Sequence, residues 1–284
     1  MKQIYLRHQS GVRSPLRSDT LFGLITWGVR QVYGPGSVER FLSPMHKDPP
    51  RAPLYLTSAF PYLEQEGERV HFFPRPLSHR RPGLSNWIED RELLAFVTGH
   101  GLKLGEGDPS GVANPVGLDR SGSSGLFFLA TGPSEHYLEA ALGFLESFGF
   151  GGRGSVGQGA FEVELREAEF LRLAQPGELS LLLSLYAPTA EERAAIAAAA
   201  AAPESPVWYG VERRQGVAGG RMMELSRPFK RPMAMLTEGS IVPRAGGDVC
   251  GQAPEVGRAE DGRDAFPVFQ HGFGFLVPLA GVGS

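Results

Sequence analysis

Glycine and proline are unusually dense in this chain, and this limits the folds open to it. The 284 residues include 38 glycines and 23 prolines. Because these residues end helices and strands and build turns, we expect short elements joined by long loops, and not a helical bundle or a coiled coil. The other composition values, 42% hydrophobic and 21% charged residues, are ordinary for a globular protein with a packed core.

Several classes of protein are disfavoured by what the sequence lacks. It has no run of about 18 apolar residues that could span a membrane. Its first residues, MKQIYLRHQSG, lack the apolar core of a signal peptide. The single cysteine, Cys250, can form neither an internal disulfide nor a cysteine metal cluster. We therefore expect a cytoplasmic protein with no membrane contact, no metal, no cofactor and no small-molecule substrate.

The charge is nearly balanced in total but uneven along the chain. The 28 basic and 31 acidic residues give a net charge of −3, which argues against a strongly basic nucleic-acid binder. Residues 1–30 and 211–231, however, carry an excess of basic side chains, and most of these are arginine. Arginine stacks on bases and binds phosphates with two parallel hydrogen bonds. A GC-rich coding bias explains the arginine content equally well.

The hydrophobic periodicity predicts an α+β fold. The first half shows a strand at 2–8, a helix from Ser18 to Gly34, and a loop-rich stretch with short apolar segments near Ala52–Ser58 and Val70–Phe73. A strand at 126–130, a helix from Ser134 to Gly149, the glycine loop and a strand at 161–166 follow. This order fits a ferredoxin-like unit. A second unit starts with a strand at 179–186 and an alanine-rich helix at 188–202. We predict two ferredoxin-like (RRM-like) β-α-β-β-α-β domains, residues 1–175 and 176–284, with a glycine-rich loop and long insertions. Residues 244–266 show no period and predict a mobile loop.

The segment Gly149–Gly159 is the most distinctive motif. Its GxGxxG spacing matches a dinucleotide-binding fingerprint, but the helix precedes the segment and the strand follows it, which is the reverse of what that fingerprint needs. Glycines also let backbone N–H groups approach a phosphate closely, and Arg153 and Ser155 add donors. The segment therefore favours a phosphate-binding loop, with a flexible connector as the alternative.

The start of the first predicted helix is a second candidate phosphate site. Ser18 and Asp19 are typical N-capping residues, and capping alone accounts for much of their presence. A helix N-terminus beside an arginine, here Arg17, also attracts a phosphate group.

No catalytic set of residues emerges. None of the seven histidines has a second metal ligand at a suitable spacing. His8, at the end of the first strand, is the one histidine that could serve as a general base. A packing role or an RNA contact is the more common use of a lone histidine in such a position.

Several segments, in this order, resemble a known family. They are SDTLFG from Ser18, LDR from Leu118 with the following LFF, the glycine segment, RPMAML and EGS from Arg231 to Ser240, and HGFGFLVPL from His271. Together they resemble the RAMP proteins of CRISPR effector complexes, and among these Csm subunit four of type III-A systems, in the Cas-five-like group. The resemblance spans residues 2 to 279.

This resemblance implies a fold, a function and partners. Family members consist of two ferredoxin-like domains, hold the repeat-derived 5′ tag of the crRNA, have no nuclease activity, contact the large Cas-ten subunit and adjoin the backbone RAMP subunit. The positions it implies for RNA binding are Arg17, Ser18, Asp19, Asn114, Asp119, Arg120, Gly151, Gly152, Arg153, Gly154, Ser155, Gly157, Lys230, Arg231 and Ser240. The alanine-rich helix and the 244–266 segment depart from the family pattern.

The sequence leaves two other functions open. The first is a metal-independent crRNA-processing endoribonuclease of the same superfamily, with His8 as its base. The second is a backbone RAMP subunit, which carries a catalytic aspartate for target cleavage. No convincing equivalent of that aspartate is present, so the expected function is a non-catalytic RNA-binding subunit.

Overall fold

A computed structural model describes residues 1–8, 16–102, 124–149, 160–168, 177–216, 229–244, 250–261 and 264–280. The helices among them are α1 (Ser18–Tyr33), α2 (Pro35–Leu42), α3 (Asp90–Val97), α4 (Leu138–Phe148) and α5 (Ala190–Ala200). The strands are β1 (Lys2–His8), β2 (Tyr55–Leu56), β3 (Phe60–Gln65), β4 (Glu68–Pro74), β5 (Trp87–Glu89), β6 (Ser124–Thr131), β7 (Phe161–Glu167), β8 (Leu179–Leu182), β9 (Val211–Arg214), β10 (Met233–Leu236), β11 (Ile241–Pro243), β12 (Gly251–Gln252), β13 (Glu255–Asp261), β14 (Asp264–Phe269), β15 (Gly272–Phe273) and β16 (Leu276–Leu279).

A large antiparallel sheet organises the first half of the chain. Its strands lie in the order β5-β4-β3-β6-β1-β7, and β2 also pairs with β6. Strand β1 is central, since it pairs with β6 on one side and with β7 on the other. Its alternating side chains point to opposite faces, so each face can bury a different set of partners. The predicted α+β class with a large antiparallel sheet is confirmed.

Helices α1 and α4 cover one face of this sheet. The apolar residues of α1 recur at helical spacing, and Leu21, Ile25 and Val29 are fully buried against Ile4 and its neighbours. The two helices approach closely at Gly28, where a Cβ atom would lie 2.8 Å from the carbonyl oxygen of Ala141. A larger residue at this position would push the helices apart.

The ends of these helices correct two sequence expectations. Helix α1 ends at Gly34 (φ 82°), as predicted, but Pro35 then takes the first position of α2, where its missing N–H costs no hydrogen bond. Helix α4 starts at Leu138, after a short 3-10 turn, and Ser134 gives no side-chain cap. Gly149 ends α4 with φ 89°, as predicted.

The second half of the chain packs against the other face of the large sheet. Tyr5 and Phe127 of that face share a buried cluster with Leu181 of β8 and Val277 of β16. Strand β8 is the centre of a three-stranded sheet, β11-β8-β16. A backbone hydrogen bond of 2.9 Å from Ser58 to Leu183 links the two halves directly. Both halves therefore contribute to one core.

Two features of the second half differ from the sequence expectation. Where residues 244–266 are described, the prediction of a loop is wrong, because β13 pairs with β14 and β12 pairs with β15, both antiparallel. The glycine and acidic residues of this segment obscure the alternation of apolar and polar side chains that is typical of a strand. Backbone hydrogen bonds between the strands give the segment its regular structure. The described part of this half contains one helix, α5, where a full β-α-β-β-α-β unit has two.

Candidate functional site

Charged side chains from both halves converge at the N-terminus of α1. Arg17, the residue before the helix, donates from Nε to Glu238 Oε1 at 2.7 Å and from NH1 to Glu212 Oε2 at 3.0 Å. The side chains of Arg17 and Glu238 are only 18% and 10% exposed. Burial alone would lower the pKa of Arg17, but the two carboxylates outweigh it and raise that pKa. This arginine stays charged and fixed.

A second ion pair lies beside the first. Arg214 of β9 donates to both carboxylate oxygens of Asp19, at 3.0 and 3.1 Å. Asp19 also accepts a 2.7 Å hydrogen bond from the Gln270 amide, and Gln270 in turn accepts one of 3.2 Å from Lys230 Nζ. A chain of polar contacts therefore runs from β9 through Asp19 of α1 and Gln270 to Lys230.

Lys230 is a partly buried cation of this group. Burial lowers its pKa, Asp19 acts in the opposite direction, and the nearby positive charge of Arg214 lowers the pKa further. The contact with Gln270 and the negative charge of Asp19 offset part of the cost of burying this ammonium group.

Ser18 has a structural role in this arrangement. Its side chain is fully buried, and its hydroxyl oxygen accepts a 3.1 Å hydrogen bond from the backbone N–H of Leu185. Its own N–H donates to Ser58 Oγ at 3.0 Å, and Ser58 in turn donates to Glu238. The predicted N-cap role of Ser18 is wrong, since Arg17 occupies that position without a side-chain cap, whereas Asp19 does accept a hydrogen bond from a first-turn N–H, that of Thr20, at 2.8 Å. Ser18 fastens α1 to the second half and does not face solvent.

Arg231 and Ser240 have contrasting surroundings. Arg231 is exposed and donates from NH2 to the carbonyl oxygen of Glu255 at 2.9 Å. Ser240 is fully buried; its hydroxyl donates to the Thr237 carbonyl at 2.6 Å and accepts from the Gly210 N–H at 3.2 Å. Ser240 holds the turn that positions β9, while Arg231 is open to a ligand.

The remaining predicted positions lie outside the described residues. They are Asn114, Asp119, Arg120, Gly151, Gly152, Arg153, Gly154, Ser155 and Gly157. The flanks of the glycine segment are described, and Phe161, which follows it, pairs with His8. The segment therefore rejoins the sheet at the end of β1 from which the chain continues toward α1.

Two kinds of feature are not found among the described residues. Within them, no group of three or more His, Cys, Asp or Glu side chains could hold a metal ion. None of the helices described is both long and apolar enough for a membrane span.

The sequence missed the partners that complete this site. Glu238 and Gln270 lie more than 200 residues from Arg17 and Asp19, and no local pattern links them. The charged stretch containing Glu212 and Arg214 was visible as a basic segment, but its pairing with α1 was not. The signal that was available is the EGS motif, which contains Glu238.

Comparisons with known proteins agree with the sequence motifs. No protein-family model matches the chain. A curated protein of Thermococcus onnurineus (strain NA1), the CRISPR system Cms protein Csm4, is 27% identical over 267 residues, which cover 80% of this chain and 81% of that protein.

Solved structures give the same picture for the fold. One chain of the Csm3–Csm4 subcomplex of the type III-A CRISPR-Cas interference complex is similar with a TM-score of 0.61 and 17% identity, covering 99% of this chain and 100% of that one. A chain of the Csm1–Csm4 cassette in complex with pppApA gives 0.60 and 20%, covering 98% and 97%. The resemblance to Csm subunit four of type III-A systems is confirmed.

Proposed function

We propose that this chain is a non-catalytic crRNA-binding subunit of a type III-A Csm complex, in which it holds the repeat-derived 5′ tag. The observation that carries the proposal is the 27% identity to Csm4 across 80% of the chain. The geometry supports it, because Arg17, Asp19 and Lys230, which the sequence assigned to RNA binding, belong to one connected cluster.

The proposal includes a bridging role between two protein partners. Chains with this fold are found in a Csm1–Csm4 cassette and in a Csm3–Csm4 subcomplex. By analogy, this chain would bind the large Cas-ten subunit with one surface and the backbone RAMP subunit with another.

The RNA would lie along the end of the sheet where the glycine segment meets β7. There the bare amides of Gly151, Gly152, Gly154 and Gly157 would bind phosphates together with Arg153 and Ser155, as such loops bind anions. Asn114, Asp119 and Arg120 would contact the same RNA strand, and Lys230 and Arg231 would extend the contacts. Ser18 and Ser240 would support the site from within the core.

The domain organisation is part of the same proposal. Strands β1, β3, β6 and β7, with α1 and α4 on one face, follow the β-α-β-β-α-β order, and we infer a ferredoxin-like domain over residues 1–175. Residues 176–284 would form a second, reduced domain of the same family around β8.

The first test measures binding of tag RNA by the assembled complex. Arg153→Ala should weaken binding about tenfold, because a charge-assisted hydrogen bond to phosphate is lost. The salt dependence of binding should also become shallower, by about 0.7 in slope for a single strand. Arg91→Ala is the matched control, since that side chain lies on α3, is 80% exposed and pairs with Glu89 of β5. Unchanged affinity in a folded complex would remove Arg153 from the site.

A second test addresses the absence of catalysis. Purified protein is incubated with repeat RNA, and His8→Ala is treated in parallel. We expect intact RNA in both reactions. Cleavage by the wild type that is lost in the variant would establish the endoribonuclease instead.

A further inference from the structure

Strand β9 has two chemically different faces. Its inward residues, Glu212 and Arg214, form the ion pairs with Arg17 and Asp19 at the start of α1. Its outward residues, Val211 and Arg213, alternate with these, and Val211 is 61% exposed. The inner contacts therefore fix the strand, while the outer face stays available.

Exposed aromatic side chains lie at both ends of the β9–β10 pair. Trp208 and Tyr209 come just before β9 and are 51% and 44% exposed. Phe229, at 64% exposure, lies on the other strand beyond the point where the Lys230 N–H bonds to the Gly216 carbonyl at 2.9 Å. At 3.2–3.4 Å per residue, the strand from Trp208 to Gly216 spans about 25 Å. Large aromatics this exposed commonly mark a binding surface.

The charge of this hairpin favours a polyanion. Residues 207–216 and 229–236 contain four basic residues, Arg213, Arg214, Lys230 and Arg231, and one acidic residue, Glu212. Arg213 and Arg231 are exposed, and Arg213 forms no ion pair within the described residues. Exposed aromatics beside a surplus of positive charge are typical of surfaces that bind single-stranded nucleic acid, where bases stack on the rings and cations contact the phosphates.

We propose that the β9–β10 hairpin is a stacking platform for single-stranded RNA. Bases stack on Trp208, Tyr209 and Phe229, and Arg213 and Arg231 contact the phosphates between them. This inference rests on the proposed RNA-holding function, but it assigns contacts to residues that the sequence motifs did not mark. Because Arg214 bonds to Asp19, the platform is rigidly attached to α1.

The test uses the fluorescence of Trp208 in the full chain. Trp27→Phe and Trp87→Phe together leave Trp208 as the only tryptophan. An oligoadenylate of about 12 nucleotides should quench its emission and protect it from acrylamide, since base stacking covers the indole ring. Inorganic polyphosphate, which has the charge but no bases, should do neither.

Variants then separate stacking from charge, with oligoadenylate binding measured by anisotropy. Trp208→Ala and Tyr209→Ala should each weaken binding about tenfold. Arg213→Ala should reduce the salt slope by about 0.7. Tyr33→Ala is the matched control, because that ring is 45% exposed on α1 and contacts Tyr137 instead. It should bind like the wild type.

Any of the following results would contradict the proposed stacking platform. If RNA binds and Arg153→Ala weakens it while Trp208 emission is unchanged, the platform is wrong and the proposed function stands. If polyphosphate changes the emission as much as oligoadenylate does, no stacking occurs. If emission responds only to an added protein subunit, the surface binds protein. If the full chain binds no RNA, both the platform and the proposed function fail.

Discussion

Two networks of charged residues in this molecule have similar composition but different surroundings. The joint network connects α1 to the second half and consists of Arg17, Asp19, Glu212, Arg214 and Glu238. The sheet-face network lies on the large sheet and consists of Arg7, Glu64, Arg69, Glu164 and Arg166. The first joins α1 to the second half of the chain, whereas the second joins strands β1, β3, β4 and β7 of one sheet.

Burial separates the two networks energetically. The most buried carboxylates of the joint network, Asp19 and Glu238, are 8% and 10% exposed, whereas Glu64 and Glu164 of the sheet-face network are 32% and 41% exposed. The separation is not complete, because Arg69 of the sheet-face network is 13% exposed and Glu212 of the joint network is 38% exposed. Water screens exposed pairs, so their contribution to stability is small. A buried charge that loses its partner cannot be solvated by water. Removing one residue of the joint network therefore destabilises the buried residues that pair with it. The same residue types therefore act as a structural joint in one place and as a solvated surface in the other.

The largest expected effect follows from removing one buried partner. Glu238→Ala leaves Arg17 without its main carboxylate and should lower the free energy of unfolding by about 3–5 kcal/mol. Urea unfolding followed by circular dichroism measures this. A double variant, Arg17→Met with Glu238→Leu, should recover much of the loss because no charge stays buried. If the double variant loses as much free energy of unfolding as Glu238→Ala does, side-chain shape, and not charge, determines the stability of the joint network.

An intermediate effect concerns His271, which borders the joint network. Its ring is buried, stacks on Phe22 at 4.3 Å and donates from Nε2 to the Leu54 carbonyl at 3.0 Å. Burial lowers its pKa to about 4, although the Leu54 carbonyl and Asp19 act against this. Between pH 6.5 and 5 the unfolded chain takes up a proton at this site and the folded chain does not. The contribution of this site to the free energy of unfolding is therefore fully present above pH 6.5 and should be about 2 kcal/mol smaller at pH 5.

Urea unfolding at several pH values measures this slope. His271→Gln should flatten it, because the titrating ring is gone. His136→Gln, at an exposed position, is the control and should leave it unchanged. A wild-type slope that survives in His271→Gln would assign the pH dependence to other groups.

The smallest effect is expected in the sheet-face network. Arg166 pairs with Glu164 at 2.5 Å and lies 5.7 Å from the Tyr5 ring, but it is largely exposed. Arg166→Ala should change the free energy of unfolding by at most about 1 kcal/mol, and less in high salt. A loss as large as that of Glu238→Ala would remove the contrast between the two networks.

The sequence predicted the elements whose signal is local. Strand β1 occupies Lys2–His8 and α1 begins at Ser18, because alternation and helical spacing are both properties of short segments. Helix α2 was missed since Gly34-Pro35-Gly36 reads as a stop, although Pro35 also suits a helix start. The β13–β14 hairpin was missed because its strands depend on each other more than on their own composition.

The candidate site was predictable only in part, for the same reason. Arg17, Asp19 and Lys230 stood out by their type and position, and they do belong to one cluster. Their partners come from segments about 200 residues away, and only the tertiary fold brings them together. The motif residues Ser18 and Ser240 also carried a signal, but burial gives both of them a supporting role.

The shared core of the two halves has a consequence for biosynthesis. The second face of the large sheet, with Tyr5 and Phe127, is covered by residues that include Val277. During translation this apolar surface stays open until the segment containing Val277 has left the ribosome. Such late, long-range contacts slow folding and leave aggregation-prone intermediates exposed. Yield in a cell should therefore depend on chaperone supply more strongly than for a protein whose first half closes on itself.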